Sequence, residues 1–168
     1  MAWKRFGRQY IGELVYGAND GIITTFAVVA GAAGAGLSSS IIIMLGVANL
    51  LADGFSMGAS SFLAKRSEQS REGEEGTAAP LQGALVTFGA FIVAGALPLL
   101  PFIVLSGSDA VFAISAVGAG IAFFLVGSAR ALVIPKHPLI AGMEMLLIGA
   151  IAAGISYGIG SFVEQLLR

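Results

Sequence analysis

The sequence predicts an all-α protein, a polytopic membrane bundle of five transmembrane helices, and three observations carry that prediction. First, 57% of the 168 residues are hydrophobic and only 11% are charged, with a mean hydropathy of +0.90. An ordinary soluble domain carries about 25% charged residues. Second, residues 10–36, 41–65, 81–105, 110–133 and 139–163 form five apolar segments. Each is long enough to cross a hydrocarbon core of about 30 Å. Third, five spans put Lys4, Arg5, Arg8, Lys65, Arg66, Arg71, Arg130 and Lys136 on one side and Arg168 alone on the other. Basic residues gather on the cytoplasmic side. The amino terminus is therefore expected in the cytoplasm and the carboxyl terminus on the opposite side, in a single domain covering residues 1–168.

Composition removes several function classes. There is no cysteine and only one histidine, which excludes disulfides, thiolate sites, iron–sulfur clusters and multi-histidine metal centres. A net charge of −1 offers no basic field for nucleic acid. Any metal must be held by carboxylates, amides, carbonyls, water and methionine sulfur.

The first element opens with a cationic, aromatic stretch, Trp3-Lys4-Arg5-Phe6, whose rings suit an interfacial anchor. The apolar run behind it is interrupted by Asn19-Asp20-Gly21 and continues to Gly36, so a retained first span is expected rather than a cleaved signal. Glu13 and Asp20 are seven residues apart, two helical turns, and share a face. Glu13 reads either as a solvated first-turn acid near the positive helix end or as an entrance acid. Asp20 lies deeper, where an idle charge is expensive. Gly17 and Gly21 bracket it at a spacing that admits a second backbone.

A short uncharged turn, Leu37-Ser38-Ser39-Ser40, leads into span two, which carries the polar stripe Asn49, Asp53 and Met57 at four-residue intervals. Such a stripe occupies one helical face, and a carboxylate near the bilayer centre costs at least ~2.5–3.5 kcal/mol on insertion scales. It should face protein, water or an ion. Asp20 stands about 17 residues before the turn and Asp53 about 13 after it, so at ~1.5 Å per residue their depths differ by only ~6 Å. Met57 falls level with Asp20. Gly54 and Gly58 adjoin the stripe.

The segment 67–79, with Glu68, Glu72, Glu74 and Glu75, reads as a short solvated acidic loop or, alternatively, as a weak cation-collecting mouth. Span three carries no charge and closes near Pro98 and Pro101 as scaffold. Span four ends with Arg130, and Pro135-Lys136-His137-Pro138 makes a rigid turn whose histidine is solvent-exposed. Span five holds Glu144 early in its course, either a snorkelling interfacial acid or a wall of the entrance below Asp20. Its neighbours Met143 and Met145 read as packing or lipid-facing residues. Gly154 and Gly158 repeat the small-residue spacing.

At Tyr16-Gly17-Ala18-Asn19-Asp20-Gly21-Ile22-Ile23-Thr24-Thr25-Phe26, at Ala48 to Gly58 and at Gly142 to Gly149, the chain resembles the vacuolar iron transporter family. The resemblance implies a five-span parallel homodimer that moves ferrous iron, and often manganese, out of the cytosol in exchange for protons. It assigns Asp20 and Met57 to a metal pathway at the dimer interface and Glu13 to an acidic entrance. Asp53, Asn49 and Glu144 are added to the candidate metal residues from the sequence alone. Many family members carry a metal-binding insert between spans two and three; residues 67–79 are too few for it. Many also have Gly-Glu-Tyr after the Ser-Met-Gly motif, where this chain has Ser60-Ser61-Phe62.

The expected function is divalent-metal transport with no cofactor and no catalysis, the metal being the cargo, ferrous iron first and manganese second. Hard oxygen donors suit both ions, and one thioether favours the softer ferrous ion. A non-transporting membrane scaffold whose acids are structural is the competing class. An intramembrane hydrolase has no supporting motif.

Overall fold

A computed structural model describes residues 2–73, 78–105 and 107–168, and the side chains of residues 2–9 and 78 lie outside that description. The anchor expected of Trp3 and Phe6, and Glu74 and Glu75 of the acidic segment, therefore fall outside it. The described chain is helical: α1 (Ala2–Gly34), α2 (Ser39–Glu72), α3 (Ala78–Gly95), a 3₁₀ turn (Leu97–Leu99), α4 (Leu100–Val104), α5 (Val111–Ala129), a second 3₁₀ turn (Arg130–Leu132) and α6 (Pro138–Leu167). Among the described residues, five helical stretches are long and apolar enough to cross a membrane: Tyr10–Gly34, Ser39–Glu72, Ala79–Val104, Val111–Leu132 and Pro138–Leu167.

The turn between α1 and α2 is as tight as its sequence suggests. Gly36 adopts a left-handed φ of 66°, and the Leu37 amide donates to the Ala32 carbonyl at 3.0 Å. This six-to-one bond closes a glycine-terminated helix end. The second segment departs from expectation. Residues 67–72 are not loop but the last turns of α2, which ends where Gly73 takes a φ of 76° and donates its N–H to Gln69 O. Glu68, Gln69, Arg71 and Glu72 are good helix formers, and nothing breaks the helix before Gly73.

Span three is broken where its prolines sit. Pro98 and Pro101 have no N–H to continue the ladder, and the chain turns through Leu97–Leu99 before α4 resumes. The Pro98 carbonyl is satisfied from α5, where the buried Ser115 hydroxyl donates to it at 2.6 Å.

Helix α1 is the hub. It packs most extensively on α3 and α6 and also touches α2 and α5; α2 leans on α3, and α5 on α6. The core joins Ile22, Phe26 and Val29 of α1 to Phe91, Phe102, Phe123 and Met145. The Phe26 ring meets Phe123 edge-on at 5.9 Å, a favoured aromatic geometry. Met145 is wholly buried and Met143 is exposed, the packing and lipid-facing roles expected of them. The outer surface is apolar, with Phe55, Val93, Val117 and Leu147 among the exposed residues, as lipid solvation requires.

The glycines flanking the polar stripe are used inside the chain. A Cβ on Gly17 would meet the Thr87 carbonyl oxygen at 2.4 Å, and one on Gly21 the Phe91 carbonyl oxygen at 2.4 Å. Gly54 and Gly58 lie against Phe88, Phe91 and Ala84. The close approach expected at this spacing is therefore met within the chain rather than by a second subunit: Gly17, Gly21 and Gly58 admit the backbone of α3, and Gly54 lies against α3 side chains. Small-residue spacing signals close approach without naming the partner. Gly154 and Gly158 have nothing within 4 Å of a Cβ and stay uncovered.

Candidate functional site

The buried ridge of α2 runs Ile42, Gly46, Leu50, Gly54, Gly58. Asn49, Asp53 and Met57 each precede a ridge residue by one position, about 100° around the helix. They therefore lie along the border of the packed face, half-buried. Burying the glycine ridge in α3 fixes this rotation of α2, and with it the stripe.

On α1, Asp20 is half-buried, and its backbone carbonyl accepts the Thr24 hydroxyl at 2.9 Å. Its carboxylate and that of Asp53 lie within electrostatic reach of each other, in keeping with the similar depth read from the hairpin. Among the described residues, neither has a basic partner: the ion pairs present join Lys65 to Glu13, Lys136 to Glu144 and Arg168 to Glu164. Two carboxylates without a cation form an attractive site for one.

The other candidates are placed less centrally. Asn49 has a buried Nδ2 with no partner among the described residues, a turn of α2 away from Asp53. Met57, a turn the other way, packs against the hydrophobic core. Among the described residues no group of three or more acids or histidines comes together. One chain thus supplies a carboxylate pair flanked by an amide and a thioether, not a closed metal cage.

Glu13 is neither an idle first-turn acid nor an open carboxylate. It pairs with Lys65 of α2, whose ammonium also lies 5.6 Å from the centre of the Tyr10 ring. The Tyr10 hydroxyl donates to Gln82 Oε1 at 2.7 Å, tying α1 to α3 at the same level. Beside them, Tyr10, Lys65, Glu68, Gln69, Glu72, Ala79 and Pro80 line a cavity of about 220 Å³. Sequence reasoning missed Lys65 because its partner is 52 residues away. Its place in the polar series of α2, eight residues beyond Met57, was the only signal. Glu144 pairs with Lys136 across the turn into α6, and no described contact links it to Asp20.

The VIT family model matches residues 11–76 and 70–161. Vacuolar iron transporter 1 of Arabidopsis thaliana is 26% identical over 219 residues, covering 94% of this chain and 87% of that protein. The vacuolar iron transporter of Centaurea cyanus is 24% identical over 211 residues, covering 89% and 86%. A shorter stretch is more similar still: the vacuolar iron transporter of Toxoplasma gondii is 46% identical over 61 residues, 36% of this chain but only 20% of that protein. The alignment to the Arabidopsis protein is longer than the 168 residues of the whole chain, so that relative has residues without a counterpart here. The two family matches meet at residues 70–76, where α2 ends.

Proposed function

This chain belongs to the VIT family, and from that premise we propose that it carries divalent metal across a membrane. The metal is ferrous iron first and manganese second, moved out of the cytosol against protons. The observation that carries this reading is the Asp20–Asp53 pair: two half-buried carboxylates on membrane-spanning helices with no basic partner among the described residues. Uncompensated acids at such a depth are costly, and a passing dication offsets that cost. The relatives named vacuolar iron transporters support iron as the cargo.

The stripe suggests how the ion is handled. Oxygen donors from Asp20, Asp53 and Asn49 replace part of its hydration, and the Met57 thioether favours ferrous iron over manganese. When the metal leaves, the same carboxylates can carry protons back, which keeps the charge of the site balanced. Glu13 and the acids at the end of α2 collect cations at the entrance. The excess of basic residues on that side makes it the cytoplasmic one. No step of this scheme needs covalent catalysis.

A second copy completes the ligand set. Ions of this class prefer about six donors, more than one chain's stripe supplies. Two parallel subunits would double Asp20, Asp53, Asn49 and Met57 around a shared axis.

The deciding experiment is uptake of ferrous, manganous and zinc ions into proteoliposomes, with and without a pH gradient, for wild type and Asp20→Asn. Ferrous uptake should exceed the others, respond to the gradient and collapse in the variant while expression and particle size persist. Undiminished ferrous flux in Asp20→Asn would return the acids to a structural role.

A further inference from the structure

A groove of about 370 Å³ that no residue of α2 lines is formed by Val15, Tyr16 and Asn19 of α1, by Arg130, and by Val133 and Ile148. Its rim is open: Tyr16 is 66% exposed, Ile148 50% and Val133 48%. It opens on the outer surface of the bundle, and neither Asp20 nor Asp53 lines it. Its size falls within the usual range of small-ligand sites, about 300–1,000 Å³.

Arg130 gives the groove its chemistry. It is half-buried where α5 passes into the 3₁₀ turn, at the end of the bundle that also holds Lys136. Lys65, Lys136 and Arg168 each have a carboxylate partner, and Arg66 and Arg71 are exposed. Arg130 has no such partner among the described residues. A half-buried arginine beside apolar side chains and without a carboxylate partner suits an anion, and its planar fork matches phosphate oxygens in pairs. The helix end places it where headgroups lie, and Val15, Val133 and Ile148 continue the groove as apolar wall.

The geometry points to a binding site for one anionic phospholipid, its phosphodiester on Arg130 and the upper part of its acyl region along Val133 and Ile148. A zwitterionic lipid is disfavoured because its own cation would face the guanidinium. A free phosphate would leave the apolar walls uncovered. The Tyr16 ring at the rim is the kind of side chain that settles at the headgroup level, and the Asn19 amide supplies a polar group deeper along α1.

The test is native mass spectrometry of protein purified in neutral detergent and incubated with phosphatidylglycerol or phosphatidylcholine. Wild type should retain one phosphatidylglycerol per chain in preference to phosphatidylcholine. Arg130→Gln should weaken that retention by about five- to tenfold, the worth of one basic side chain at a lipid surface, and Arg66→Gln should not. Gly12→Leu gives a second arm that keeps the charge: Gly12 also lines the groove and has nothing within 4 Å of its Cβ. Filling that space should lower retention as well. Equal retention by wild type and both variants would overturn the site, as would equal retention of the two lipids. Thermal stabilisation by inorganic phosphate matching that by phosphatidylglycerol would overturn the lipid as its ligand. A change of oligomer size in Arg130→Gln with lipid retention intact would assign the groove to a second copy of the chain instead.

Discussion

Substituting alanine for Gly21 tests the seam that holds α1 to α3. The new Cβ would lie 2.4 Å from the Phe91 carbonyl oxygen and 3.0 Å from the Phe91 carbonyl carbon and Cα. Ordinary contact begins near 3.4 Å, so the two helices must part by about 1 Å. All three neighbours are backbone atoms and none can rotate aside. Overpacking of this kind costs about 1–3 kcal/mol. The upper end applies because the seam repeats at Gly17 against Thr87 and at Gly95 against Gly21. At about 2–4 °C per kcal/mol for a chain of this size, the apparent Tm should fall by roughly 6–12 °C. Gly154→Ala is the control: its Cβ meets nothing, and loss of a helical glycine changes stability by about 1 kcal/mol or less, favourably. Fluorescence-detected size-exclusion thermostability in one detergent compares the three proteins. A Gly21→Ala protein as stable as wild type would refute the intrachain seam. So would one that dissociates into stable monomers, since Gly21 would then belong to a subunit interface.

Three further outcomes are expected. Met57→Leu is nearly isosteric and should cost less than about 1.5 kcal/mol while shifting transport from iron towards manganese; an unchanged ratio in a competition uptake assay would leave Met57 as packing alone. Lys65→Met should lower the metal concentration for half-maximal uptake, because Glu13 loses its tethered cation, with stability changed by no more than about 1 kcal/mol for so partly exposed a pair; the same half-saturation in both proteins would remove Lys65 from the entrance. Mixing wild-type and Asp20→Asn subunits in known ratios should give flux falling roughly as the square of the wild-type fraction if two chains share one path. A linear fall would mean that each chain transports alone.

The spans were legible because length and unbroken hydropathy leave few alternatives, and the electrostatic reach between Asp20 and Asp53 agrees with the similar depth found by counting residues either side of a tight turn. The tail of α2 was misread because charge was weighed above propensity, although residues 67–72 contain no helix breaker and Gly73 marks the stop. The partner of Gly17 and Gly21 was hidden for a different reason. A small-residue repeat states that some backbone comes close, and only the rotation of α1 about its axis chooses α3. The Lys65–Glu13 pair depends on that same rotation in two helices at once, which no spacing along one segment encodes. The polar stripe of α2 was readable as a stripe, but its position at the edge of the packed face came from the glycine ridge beside it.

The uninterrupted run of α2 has a mechanical consequence. At ~1.5 Å per residue its 34 residues form a rod of about 50 Å, against a hydrocarbon core of about 30 Å. Asp53 stands near its middle and Glu72 at its tip, separated by roughly 28 Å of continuous helix. With no proline and no break between them, the rod has no joint at which its tip could move independently of the polar stripe. A rocking of about 10° pivoted at Asp53 would carry Glu72 through roughly 5 Å. The same rocking would drag Lys65 off Glu13, because that ammonium rides on the rod while its carboxylate belongs to α1. Movement of the tip of α2 and release of the Lys65–Glu13 contact are thus a single rigid-body displacement of one rod.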